Sequence, residues 1–189
     1  MIRRAGPADA AALHELAAAT FPLACPPGST AEDQRRFIDD NLSEASFTSY
    51  LSDPGRVLFV DVDPAGRLVG YTMLVAAPPT DADVRAALGL NAPTPDWSVS
   101  ELSKCYALPG AHGTGIAAGL LRATAEEAIT HGATRMWLGV NQENARAQRF
   151  YAKQGFVRIG TKRFQVGDRL EHDYVLALDL ALTSVHSPE

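Results

Sequence analysis

The chain has 189 residues, 46% of them apolar and 21% charged, which fits one compact soluble domain with a sizeable core. Its formal net charge of −5 does not favour nonspecific nucleic-acid binding, and no stretch approaches the ~20 apolar residues that cross a bilayer. Two distant cysteines, Cys25 and Cys105, make neither a disulfide framework nor a zinc site and point to reduced thiols in the cytoplasm.

"MIRRA" reads as a short first strand. Asp9, His14 and Glu15 break up the apolar residues near the start of the chain, so the N-terminus is not a signal peptide. Gly6-Pro7 opens a helix with Leu13, Leu16 and Ala17 on its apolar stripe. The prolines of "FPLACPPGS" end it. Ser29 with Glu32 forms a capping-box signature for a second helix through "QRRFIDDNL". A further helical piece follows Ser43 and ends by "SDPG". "RVLFVDV" and "RLVGYTMLVAA" are strands of a hairpin turned by "DPAG". Residues 78–96 form a polar, proline-marked excursion with one helical turn, and "WSVSELSKCYAL" returns to strand.

"TGIAAGLLRATAEEAITHG" is helical, with Ile116, Leu120, Leu121, Ala128 and Ile129 expected on its buried side and Gly132 placed to stop it. "TRMWLGV" is a strand and "QENARAQRFYAKQG" a helix stopped by Gly155. "FVRIG" and "DYVLALDL" close the chain, with "GDRLE" in the turn and a frayed tail over 183–189. Strand–helix–strand–helix in the middle implies a parallel pair with a crossover, and the flanks imply antiparallel pairing.

The run "HGTGIAAGLL" follows a strand and opens a helix, where unsatisfied N–H groups and the positive dipole end bind anions. Gly113 and Gly115 let a bulky pyrophosphate approach the backbone, and Ala117 keeps the first turn slim. No lysine follows the glycines, so a Walker loop is excluded. The spacing of Gly113, Gly115 and Gly119 misses the dinucleotide fingerprint. The hexapeptide alone also fits a loop whose glycines serve only structure.

His112-Gly113-Thr114-Gly115-Ile116-Ala117 resembles the acyl-CoA loop of the GNAT N-acetyltransferases, with His112 where Gln or Arg is usual. "NQENARAQRFYAKQGF" resembles a second GNAT signature, in which Asn144, Ala147, Tyr151, Gly155 and Phe156 fall in place. At helical spacing 144, 147 and 151 share a face, which suits a narrow ligand channel. The segments "ELSKCYALPGAHGTG", "MWLGVNQENARAQRFY" and "FQVGDRLEHDYVLALDL" look most like the bacterial spermine/spermidine branch.

The resemblance implies an α/β (α+β) GNAT fold over residues 1–182. Its mixed, mostly antiparallel sheet has a central splayed parallel strand pair and helices on both faces. Strands 97–107 and 135–140 are then expected to part at their ends and admit the pantetheine of acetyl-CoA. Its amides would pair near Cys105, Tyr106 and Ala107, its pyrophosphate would meet the N–H groups of 113–117, and Asn144 would also contact it. A backbone N–H near Cys105–Tyr106 would stabilise the developing oxyanion. No metal is implied. Dimers are common in the family, so a homodimer is allowed.

An alkylammonium, with a pKa of about 10.4, must lose a proton before it attacks an acyl group. Tyr151 is the candidate acid for the leaving thiolate, from the family pattern. Glu101 is the candidate base, directly or through water, because it lies in an otherwise apolar strand. Strict alternation sends 101, 103 and 105 to one face unless a bulge intervenes. An ion pair or a solvated strand end is the structural reading of Glu101. Cys105 reads as a small buried residue rather than an acyl carrier, and Trp137 as core. Asp39, Asp40 and Glu44 read as a solvated face before a polyamine site. His14, His131, His172 and His186 lack metal spacing.

The function expected is acetyl transfer from acetyl-CoA to a primary amine of a small molecule, such as a polyamine, in a ternary complex. The alternatives are a protein N-terminus, a lysine or an antibiotic amine as acceptor, or a non-catalytic acyl-CoA-binding regulatory domain.

Overall fold

The computed structural model describes residues 1–26, 28–90, 98–111, 115–166 and 169–181. Seven strands form one mixed sheet: β1 (Ile2–Arg4), β2 (Arg56–Val62), β3 (Leu68–Val75), β4 (Val99–Ala107), β5 (Arg135–Asn141), β6 (Val157–Val166) and β7 (Arg169–Asp179). Their spatial order is β1-β2-β3-β4-β5-β7-β6. Every pair is antiparallel except β4 with β5. The six α-helices among the described residues are α1 (Ala10–Thr20), α2 (Ala31–Asn41), α3 (Glu44–Ser52), α4 (Ala82–Leu88), α5 (Ile116–Thr130) and α6 (Ala145–Lys153). None of the described helices is long and apolar enough to cross a membrane.

Alternation along the strands sorts apolar side chains onto two faces. Val57, Leu74, Leu102, Met136, Leu138, Leu176 and Leu178 share one core with residues of α5 and α6. Leu58, Val60, Tyr71 and Met73 point to the other face and pack against α1 and α3. On that second face α4 covers the far half of the sheet, through Val84 and Leu88 against Trp137, Val175 and Ala177. Trp137 is thus a core residue, as its strand position suggests. The open seam between the two helical covers lies over β4 and β5.

Local chemistry explains the boundaries. Gly132 at φ +84° ends α5 and Gly155 at φ +89° follows α6, both in the left-handed conformation that only glycine adopts cheaply. Ser43 caps α3 through its side chain, accepting from the Ser46 N–H at 3.2 Å. Thr72 and Thr124 share a buried hydrogen bond of 2.7 Å that ties α5 to β3.

Four expectations need correction. The cap of α2 is Thr30, whose hydroxyl accepts from the Asp33 N–H at 3.1 Å, one residue beyond the expected Ser29. The 78–96 excursion carries the seven-residue α4 rather than a single turn. Ile129 is 42% exposed, because Thr124, Ala125 and Ala128 hold the buried stripe that far along α5. The closing strands are longer than expected, since Arg169, Leu170 and Glu171 pair within β7 rather than turning. The described polar residues of that hairpin satisfy the ladder without an apolar pattern to announce it.

Candidate active site

β4 and β5 run side by side over only three positions, Val99 with Arg135, Ser100 with Met136 and Glu101 with Trp137. Beyond Glu101 they part. β4 continues to Ala107 with β3 on one side, and β5 continues to Asn141 with β7 on the other. Their facing edges keep backbone donors and acceptors that no strand takes up, a template for an extended chain with amides of its own. A cleft of about 710 Å³ passes through this gap. Gly115, Ala117 and Ala118 of the α5 end line it, as do Asn144, Ala147 and Tyr151, and Glu101, Lys104 and Tyr106.

The anion end is built at α5. Gly115 starts the helix at φ +86°, with no side chain capping its N–H groups and no acid in its first turn. The first-turn N–H groups therefore lack helical partners, and the fifteen aligned peptides of α5 turn a positive dipole end to the cleft. Gly119, the third glycine of the run, has a separate use. A Cβ there would stand 2.7 Å from Ile2 Cδ1, so this glycine lets α5 lie close on the sheet. His112, Gly113 and Thr114 lie outside the described residues. Ile116 sits in the first turn over Gly70, where a Cβ would come within 3.2 Å of its Cγ2.

Asn144 is the N-cap of α6, and its Oδ1 accepts from the Ala147 N–H at 3.0 Å. Its place before the helix rather than within it is a correction to the one-face reading. Asn144, Ala147 and Tyr151 nevertheless all reach the cleft. Tyr151 is buried, stacks edge-on with Phe150 and Phe156, and neighbours the Cys105 thiol in the same core. Burial and the neighbouring Cys105 push the Tyr151 hydroxyl well above the usual phenol range, so it carries its proton at neutral pH. Burial raises the Cys105 thiol to about 11, against the smaller pull of Tyr151. A thiol so protonated is a poor nucleophile, which agrees with its reading as a packing residue.

Strict alternation fails in β4. Met73 faces Lys104 and Leu74 faces Leu102, so Ser103 is an extra, bulged residue. The bulge turns Cys105 onto the α5 face with Leu102. Glu101, Lys104 and Tyr106 pair with Val75, Met73 and Tyr71 and so share the opposite face, toward α1–α3. Glu101 and Cys105 are therefore on different faces, which corrects the expected common one.

Desolvation raises the Glu101 carboxyl above its usual range, although Lys162, Lys104 and Arg56 pull it down. Burial likewise lowers the Lys104 ammonium to about 8, with Glu101 opposing. Farther along the same face, Lys162 and Asp173 crowd over Gly139. A Cβ on Gly139 would meet Lys162 Nζ at 3.2 Å and Asp173 Oδ2 at 3.1 Å. Sequence reasoning alone misses Lys104, Lys162 and Asp173. Their signal is charge inside strand segments, the same one that singles out Glu101.

Comparison with known proteins agrees with this geometry. The model of the acetyltransferase (GNAT) family matches residues 10–156. An uncharacterized N-acetyltransferase of Mycobacterium bovis is 47% identical over 172 residues, covering 91% of this chain and 98% of the relative. The N-acetyltransferase PaiA of Thermoplasma acidophilum, solved in complex with coenzyme A, superposes with a TM-score of 0.71 at 17% identity, covering 95% and 98% of the two chains. The ribosomal-protein-S18-alanine N-acetyltransferase of Escherichia coli gives 0.63 at 17% identity, covering 95% and 93%. These two structures share the fold.

Proposed function

Because this chain belongs to the GNAT acetyltransferase family and is an acetyl-CoA-dependent transferase, we propose that it acetylates a primary amine of a small molecule by direct attack in a ternary complex. The observation that carries this reading is the position of Glu101. It stands at the last paired position before β4 and β5 part, and its carboxyl is raised by burial. A carboxylate of raised pKa beside an amine site is a matched base for an ammonium.

Acetyl-CoA supplies an acetyl group as a thioester. The unpaired edge of β4 near Cys105, Tyr106 and Ala107 would hold the pantetheine amides, and the N–H groups at the start of α5, including those of Ile116 and Ala117, would meet the pyrophosphate. Glu101 takes a proton from the acceptor ammonium, directly or through one water. A backbone N–H near Cys105–Tyr106 polarises the thioester carbonyl. As the carbon–nitrogen bond forms and the carbon–sulfur bond breaks, the Tyr151 hydroxyl gives its proton to the departing sulfur, and the second proton shed by the nitrogen as it becomes an amide restores that hydroxyl, directly or through water. The amide nitrogen of Asn144 is left for the ligand, since its carbonyl is engaged as the cap.

A polyamine acceptor, which the resemblance suggests, finds support in the carboxylates Glu101 and Asp173 on the cleft wall. Lys104 and Lys162 on the same wall count against it.

The test is free-thiol release from acetyl-CoA against polyamines, amino acids, peptides and aminoglycosides. Release with at least one small primary amine is expected. Tight acetyl-CoA binding with no release on the whole panel would favour a regulatory acyl-CoA-binding domain instead.

A further inference from the structure

Lys104 has no place in the chemistry above, yet the strand is bent to present it. Without the bulge at Ser103, alternation would turn Lys104 away from the Glu101 face. With it, the two side chains are neighbours on the cleft wall, about 7 Å apart along the strand. Among the described residues the Lys104 ammonium has no hydrogen bond and no ion pair. Its contact is the Tyr50 ring, 5.3 Å from Nζ to the centroid. Arg56, on the same ring at 4.8 Å, is already paired with Asp53 at 3.0 Å. A half-buried cation that feels the Glu101 carboxylate across the wall but forms no direct ion pair with it is costly to the fold and is expected to have a use.

Charge counting says which use. Lys162 and Asp173, opposite in charge, face each other in the β6–β7 register beside Gly139. Glu101 is answered by the incoming ammonium. Lys104 then remains as one positive charge a few bonds from the reacting amine. A doubly charged phosphate would be repelled by Glu101, and a polyamine would bring further cations to a wall that already holds one unpaired.

We propose that Lys104 anchors a carboxylate of the acceptor, so that the acceptor is a small zwitterion with its primary amine and its carboxylate a few bonds apart. This rests on the reading that the cleft acetylates an amine at Glu101. The Glu101–Lys104 spacing would set the distance between the two groups, and the apolar ends of α1 and α2, with Phe21 and Phe37 stacked at 4.5 Å, would cover what lies beyond them.

The test uses acceptors that differ only in the anion, such as lysine with cadaverine, ornithine with putrescine and alanine with ethylamine. Binding to the coenzyme A-loaded protein is measured by calorimetry, and thiol release is measured in parallel. A charge-assisted contact is expected to favour the carboxylate partner by about tenfold or more. In Lys104→Gln the ratio within each pair falls toward one, while coenzyme A affinity is kept. Binding of the carboxylate partners without thiol release would uphold the anchor and defeat the catalytic reading. Thiol release with no carboxylate preference, or an unchanged ratio in Lys104→Gln, would overturn the anchor and leave catalysis standing. No binding and no release with any pair would overturn both.

Discussion

The Tyr151 phenol and the Cys105 thiol are buried neighbours that interact across the gap between α6 and β4. The contact fixes the phenol beside the unpaired edge of β4, on the wall of the cleft. Tyr151→Phe is expected to lower kcat by about a hundredfold, in the range of a lost general acid. Affinity for acetyl-CoA should change little. Stopped-flow thiol release with a fixed amine measures it, and a wild-type kcat would remove Tyr151 from the acid role.

Glu101 gives the pH dependence its sign. Its carboxyl is raised by burial, so the base is lost by protonation as pH falls through a value above the ordinary carboxylate range. The acidic limb of kcat/KM should therefore lie higher than for an exposed glutamate. Glu101→Gln should flatten that limb and lower turnover most on the plateau above it, where the wild-type carboxylate is ionised. An unchanged pH–rate profile would move the base elsewhere.

The same shift bears on stability. The folded state holds this proton more tightly than the unfolded chain, so the group's contribution is present at low pH and lost as pH rises through the raised pKa. Glu101→Gln is expected to raise Tm modestly at neutral pH, which calorimetric scans on both proteins would show. A fall in Tm at pH 7 would mean that the carboxylate's attraction to Lys162, Lys104 and Arg56 outweighs its desolvation.

Lys104 predicts a gain of stability at the expense of function. Burial lowers its ammonium from 10.5 to about 8. Between those values the unfolded chain binds the extra proton, so stability from this group rises with pH across that window. Lys104→Met should remove that slope and raise Tm at pH 7 by about 2 °C or more, the shift that ~1 kcal/mol makes in a domain of this size. Thermal scans at pH 7, 8.5 and 10 on wild type and variant would read both effects.

Gly115 separates strain from contact. Among the described residues nothing lies within 4 Å of a Cβ placed there, but its φ of +86° is a glycine conformation. Gly115→Ala should cost about 1 kcal/mol from backbone strain alone. It should also weaken coenzyme A binding, because the first turn of α5 would be displaced. Isothermal titration with coenzyme A checks the second point, and unaltered affinity would mean that the helix start does not touch the phosphates.

The fold is largely legible in the sequence because its signals are local. Proline and glycine mark the helix ends, and hydrophobic alternation marks β2 and β3. The parallel pair follows from the order of elements around "TGIAAGLL" and "MWLGV". The two motifs point to a cleft, and Tyr151, Asn144 and Gly115 all line it. The features that escape are not local. The bulge at Ser103 depends on how β4 registers against β3, and no residue type announces it. That one extra residue redistributes Glu101, Lys104 and Cys105 between the two faces. Lys162 and Asp173 come together only through the β6–β7 register, where they face each other. Thr30 displaces Ser29 as a cap because either hydroxyl suits the position and backbone geometry chooses between them.

The proposed transfer runs directly from acetyl-CoA to an amine, with no acyl group resting on the protein. Initial rates measured while acetyl-CoA and an active amine are both varied test it most directly. Reciprocal plots that intersect are expected, as a ternary complex requires, together with a protein mass unchanged by acetyl-CoA alone. Parallel plots with an acetylated Cys105 peptide would contradict it.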